Sequence, residues 1–195
     1  MLFHIIDDFY DLNNLGLVMV NFMNLHFDKT YQSQDTYYGA ERMNAYPCYQ
    51  TVKCKPNEQN NLNPHSILKN TFERRTNQKI FVLETFFRKT KLDELKNSPS
   101  WNQHKPHKDD VLFDVAGLIY FNGNSLKDGT NFYLDANHYE PTAVVGAQYN
   151  RCVFYGTQLP HCPSMIQEVE ERWTQPFFLI TKEETYKKYK ESNGT

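Results

Sequence analysis

His107 and Asp109 stand two residues apart, and in an extended segment such a pair points to the same side. One imidazole and one carboxylate can therefore address a single point. His161, far along the chain, offers a second imidazole. Two histidines and one carboxylate form a donor set for a divalent cation that keeps coordination positions open. Eleven residues after His161 comes Arg172, at the head of 173–180, a stretch rich in apolar residues. An arginine among so many apolar side chains is costly to bury unless an anion pairs with it. Its planar fork also matches a carboxylate better than a lysine does. Together these residues describe a metal that chelates one end of an oxo acid and a guanidinium that holds the other end. Asp110 rivals Asp109, and His104 rivals His107; the spacing of two favours His107 with Asp109.

Distant residues meet only if the chain between them folds back repeatedly. From residue 111 onward the sequence reads as short strands at 115–121, 130–134, 143–148, 151–155 and 173–180. Turn signals separate them, Asn122-Gly123-Asn124-Ser125 and Lys127-Asp128-Gly129. Many short strands at this spacing predict a sandwich or barrel. The aromatic share of 15%, with 14 Phe and 13 Tyr, points the same way because aromatics favour strands.

The first hundred residues are more mixed. A short strand at 3–6 leads to a polar cluster, Asp11-Leu12-Asn13-Asn14, suited to capping a helix. Leu12, Leu15, Met19, Phe22, Met23 and His26 then fall on one face of a helix running to about residue 27, which would cover a sheet. Residues 28–65 are polar and irregular, a stretch long enough to act as a binding loop or lid, with Arg42 and its neighbouring tyrosines as candidate substrate contacts. A short helix is expected at 66–76, a strand at 79–88 and a helical turn at 92–96. At the C-terminal end, Thr181-Lys182-Glu183-Glu184 fits a capping box for a charged helix through about 191.

With 195 residues the chain is expected to form one domain with a real core. Residues 1–100 would pack, as a helix- and loop-containing part, on a barrel whose core is 107–180. The net charge of −2 provides no global field to attract nucleic acid. No apolar run approaches the length of a bilayer. The opening residues turn acidic at once and do not read as a secretory signal. Cys48, Cys54, Cys152 and Cys162 contain no C-x-x-C pair, so they read as thiols in a reducing cytoplasm.

Taken in order, these motifs carry a resemblance. His107-x-Asp109, Tyr120-Phe121-Asn122, Gly129-Thr130, His161 and Arg172 resemble the iron(II)/2-oxoglutarate-dependent oxygenases, in particular the prolyl-4-hydroxylase-like branch. The opening Ile6-Asp7-Asp8-Phe9-Tyr10 looks like the Asp-x-Phe start of that branch. The resemblance is close over residues 107–180 and loose before. It implies a mainly β double-stranded β-helix, a jelly-roll or cupin-like barrel with flanking helices. It implies Fe(II) held by His107, Asp109 and His161. It also implies 2-oxoglutarate held by Arg172, Tyr120 and Thr130, O₂ as the second co-substrate, and hydroxylation of a protein, peptide or small-molecule substrate. The chain departs from the pattern with one glycine in place of two before Thr130, with Phe121 in place of leucine, and with the gap of eleven from His161 to Arg172. Two other readings share some of these residues: a cupin-like barrel that binds metal without oxidation, and a non-enzymatic β-sandwich with incidental histidines.

Overall fold

The computed structural model describes residues 2–29, 48–54, 63–91, 106–137, 140–164 and 168–194. Eleven strands and three helices lie among them. The strands are β1 (Phe3–Ile6), β2 (Asp28–Lys29), β3 (Tyr49–Gln50), β4 (Val82–Thr85), β5 (Arg88–Lys91), β6 (Val115–Tyr120), β7 (Asn124–Phe132), β8 (Ala143–Gln148), β9 (Arg151–Gly156), β10 (His161–Pro163) and β11 (Glu171–Ile180). The helices are α1 (Leu12–Asn24), α2 (Pro64–Thr76) and α3 (Glu183–Asn193).

The strands form two sheets. The large one runs β1-β9-β6-β11-β5-β3-β2, with β4 also paired to β11; the small one runs β10-β7-β8. Side-chain alternation gives the large sheet two different faces. Ile119, Cys152, Phe154, Phe177 and Leu179 join Leu15, Val18 and Phe22 of α1 and Leu68 and Phe72 of α2 in one apolar cluster. Ala116, Tyr120, Val153 and Tyr155 join Phe132, Val145 and Ala147 of the small sheet in a second. The helices thus cover the outside of the large sheet, and its inner face closes on the small sheet to make the barrel.

β11 is the hub. It pairs with β6 along one edge, and with β5 and then β4 along the other. Pro176 falls at the seam between the two partners on that second edge. A proline has no N–H to give to a ladder, so the seam is where it does least harm. Its carbonyl still accepts the Phe86 N–H at 3.3 Å and the Thr85 hydroxyl at 2.8 Å. The strand expected at 79–88 is therefore two strands, broken at Phe86-Phe87.

Several local expectations change. Helix α1 starts at the predicted cap, where Asp11 accepts the Asn14 N–H at 2.9 Å. It ends at Asn24, leaving His26 exposed beyond it, and its buried face is Leu15, Val18 and Phe22. Leu12 and Met23 are exposed because Leu12 is the first helical residue and Met23 lies in the final turn, clear of the sheet. No capping box forms at 181–184. Asp114 instead accepts the Thr181 and Lys182 N–H groups at 2.9 Å and the Thr185 hydroxyl at 2.6 Å. A distant carboxylate thus caps α3, which suits the positive end of a helix. The segment Lys127-Asp128-Gly129, expected as a turn, lies inside β7. Of the 28–65 stretch, β2 and β3 extend the large sheet's edge; Arg42 and the turn expected at 92–96 lie outside the described residues.

Phe72 is fully buried, edge-on to Phe154 at 5.1 Å and to Phe177 at 5.8 Å between ring centroids. We predict that Phe72→Ala costs about 3–5 kcal/mol of stability. Urea unfolding checks this: the midpoint should fall with an unchanged slope. A loss under about 1 kcal/mol would mean that α2 is not packed on the sheet as described.

Candidate metal centre

The site is assembled by one antiparallel bridge. The His107 N–H donates to the His161 carbonyl at 2.9 Å, and the His161 N–H returns the bond to His107 at 2.9 Å. This adds the His107 segment to the free edge of β10. Directly opposed residues share a face, so both imidazoles lie on one side of the ladder, with ring centroids 4.4 Å apart. Asp109, two residues on, keeps to the same side. Its N–H donates to the Thr157 carbonyl at 2.9 Å, and its own carbonyl accepts from Gln158 Nε2 at 3.3 Å. One donor atom each from His107, Asp109 and His161 lies within 4.8 Å of the others. This is the one such group among the described residues.

The donor chemistry fits a cation. His161 Nδ1 stands 3.0 Å from the Leu159 carbonyl, which can only accept, so that nitrogen carries a proton and Nε2 is the one turned toward the other donors. Nε2 faces Asp109 Oδ2 at 3.4 Å. With the imidazole neutral, a lone pair opposes a carboxylate oxygen, an arrangement that a shared divalent ion relieves. A backbone carbonyl holding the far nitrogen of a ligating histidine is a recurrent way to fix tautomer and ring orientation. Burial is graded: the His161 side chain is 7% exposed and Asp109 13%, while His107 is open to solvent. The site therefore has a dry wall and a wet mouth. Tyr155 forms part of that wall, its ring 4.5 Å from that of His161. Burial pushes the Tyr155 hydroxyl well above the usual phenol range, with the Asp109 carboxylate adding to the effect.

Below the donors, the inner face of β7 presents Asp128, Thr130 and Phe132 in one file. Phe132 pairs in register with His161. Thr130 Oγ1 lies 2.7 Å from the hydroxyl of Tyr120, which reaches across from the large sheet. Asp128 Oδ1 is bonded by Arg172 Nη2, also from the large sheet. Arg172 thus lies inside the barrel, 3% exposed, and pairs with a carboxylate of its own chain. Asp128 is fully buried and was missed in the sequence because Lys127-Asp128-Gly129 looks like a turn. Counting back by twos from Phe132 would have found it.

The other residues singled out by sequence lie elsewhere. Asp110 is exposed and accepts the Leu112 N–H at 2.9 Å, closing a turn. His104 lies outside the described residues. Arg151 grips Asp7, Nε to Oδ1 at 2.6 Å and Nη2 to Oδ2 at 3.0 Å, fastening β9 to the residues after β1. Cys162 turns to the opposite face from His161 and meets the Tyr133 hydroxyl at 3.2 Å; burial and that bond push the Tyr133 pKa up to about 12.

No family model and no curated protein matches the chain by sequence. Solved structures do match in fold. One is an oxidoreductase of the 2OG-Fe(II) oxygenase family from Burkholderia pseudomallei, with a TM-score of 0.59 at 10% identity, covering 92% of this chain and 86% of that one. A second is a prolyl hydroxylase from Trichoplax adhaerens in complex with a hypoxia-inducible-factor peptide fragment, with a TM-score of 0.56 at 12% identity over 94% and 86%. A third is HygX from Streptomyces hygroscopicus with nickel and 2-oxoglutarate bound, with a TM-score of 0.53 at 10% identity over 92% and 83%. The chain has the double-stranded β-helix fold of these proteins, with a His-Asp-His cluster inside the barrel.

Asp109→Asn should weaken Mn(II) binding at least about 100-fold, more than losing a group behind a ligand usually costs. Calorimetric titration measures this, with far-UV circular dichroism unchanged. Binding within a few-fold of the wild type would show that the three side chains do not share a cation.

Proposed function

We propose that this protein is an Fe(II)- and 2-oxoglutarate-dependent dioxygenase. The observation that carries the reading is the convergence of His107, Asp109 and His161 inside a double-stranded β-helix, with the proton of His161 held on the nitrogen away from the other donors. His107, Asp109 and His161 are the metal ligands. Arg172, Tyr120 and Thr130 receive the far carboxylate of the co-substrate. When bound, the iron supplies the chemistry that splits 2-oxoglutarate to succinate and CO₂ with O₂ and hydroxylates a C–H bond of a second substrate. The chain's contribution is geometric and electrostatic. The His107–His161 bridge fixes two ligands on one ladder, and Leu159 keeps one of them in the metal-binding tautomer. Tyr155 and Phe132 exclude water from the inner side, and the mouth beside His107 is the way in. We place the residues of 28–65 as candidates for choosing the primary substrate, with a protein or peptide side chain first and a small molecule second.

Free thiols agree with a reducing compartment, and we assign the protein to the cytoplasm. Among the described residues no helix is long and apolar enough to cross a membrane. None of the four cysteines forms a disulfide. Burial pushes the Cys54 thiol up to about 11 and holds the Cys152 thiol well above its usual range, so neither presents a reactive thiolate at neutral pH.

The rival cupin-like barrel would bind metal through the same three residues without oxidation. Purified protein given Fe(II) anaerobically and then millimolar 2-oxoglutarate should develop a weak visible charge-transfer band, and on admitting air it should release succinate. His161→Ala should abolish both signals. Metal binding without band or succinate would decide for the rival.

A further inference from the structure

The guanidinium that sequence reasoning reserves for the co-substrate is engaged by the chain itself. Arg172 and Asp128 are both buried, at 3% and 0% exposure, and they are bonded through Nη2 and Oδ1. Asp128 is held in place from several directions. Its second oxygen accepts the Glu168 N–H at 3.0 Å. Its own N–H and that of Lys127 donate to Ser125 Oγ at 3.1 and 3.0 Å. The Ser164 N–H donates to the next carbonyl, Gly129, at 2.8 Å. These bonds coincide with a register shift in β7 between Asn124 and Gly129, and a bulge of this kind re-aims a side chain. Gly129 itself has no room for a side chain, since a Cβ there would sit 1.9 Å from the Val145 carbonyl oxygen.

The file on β7 gives the order of groups away from the metal donors: Phe132 beside His161, then Thr130 with Tyr120, then Asp128 with Arg172. From Phe132 to Thr130 the step is two strand residues, roughly 6.6 Å, and the step on to Asp128 enters the irregular part of β7. A short oxo acid chelating the metal would end near the Thr130 and Tyr120 hydroxyls, which are neutral. The cation one step further is already balanced. A second carboxylate arriving there gains little net charge attraction and meets Asp128 as a like charge in a buried setting.

We propose that Asp128 is a specificity-determining residue, a built-in competitor for the co-substrate's distal carboxylate. It makes the site select weakly between 2-oxo diacids and 2-oxo monoacids. Such discrimination by an opposing charge is a common way of setting specificity. The proposal rests on the reading of Arg172 as the receiver of that carboxylate.

The test uses the full chain loaded with Mn(II), which is redox-inert, and calorimetric titration with 2-oxoglutarate and with 2-oxopentanoate, its analogue lacking the second carboxylate. The wild type should prefer the diacid by less than about tenfold, under the interval that one strong charge contact supplies. Asp128→Asn should widen that preference about tenfold or more by tightening the diacid, leaving the monoacid within about twofold. A wild-type preference above tenfold, or a ratio unmoved by the substitution, overturns the proposal. If the variant does not fold, the wild-type ratio alone decides. Failure of the wild type to bind Mn(II), or either acid once loaded, is a different result: it sinks the dioxygenase reading itself and the proposal with it.

Discussion

The site exists because one pair of residues is directly opposed across an antiparallel bridge. His107 and His161 exchange both of their backbone hydrogen bonds, and this mutual bond settles three things at once. It fixes the register of an otherwise irregular segment on the edge of β10. It puts both imidazoles on the same face. By the period of two it also brings Asp109 back to that face. A slip of one residue in the His107 segment would turn His107 and Asp109 to the opposite face from His161. The tight turn 157–160 feeds β10 into this register: its carbonyls accept from the Asp109 N–H at Thr157 and from His161 Nδ1 at Leu159. The same short piece of backbone therefore orients two of the three clustered side chains.

The rest of the fold keeps that face inside. A sheet with two apolar faces must be covered twice. α1 and α2 cover the outer face of the large sheet with Leu15, Val18, Phe22, Leu68 and Phe72. The inner face is covered by the small sheet, and here the covering is not purely apolar. Tyr120 with Thr130 and Arg172 with Asp128 cross from one sheet to the other. Buried polar groups persist when they are partnered, and these pairs also tie the sheets together along the line that leads to the His-Asp-His cluster. Stability and site are thus built from the same contacts.

Much of this was legible in the sequence. The i, i+2 logic of His107 and Asp109 needs only an extended backbone, and the strands at 115–121, 143–148 and 151–155 announce themselves through β-branched and aromatic residues. Asp11 as a cap was readable because its partner, Asn14, is local. The errors occurred where a distant partner overrode a local signal. Thr181 looks like a cap, but Asp114 does the capping from the start of β6. Lys79 to Arg88 looks like one strand, but β11 splits it at Pro176. Leu12 and Met23 match a helical stripe, yet the sheet reaches only the middle of α1.

The most consequential misreading is Lys127-Asp128-Gly129. Asp and Gly together are a strong turn signal, and by local propensity the segment should reverse direction. It continues as a strand because Gly129 fits a close approach to Val145, which no larger residue could make, and because Ser125 and Ser164 supply the bonds that the irregular pairing leaves open. The aspartate is thereby aimed inward instead of capping a turn in water. A buried carboxylate needs a cation, and Arg172, equally buried on the facing sheet, needs an anion. Each residue explains the other's position, so the arginine's burial is no longer by itself evidence of an outside ligand.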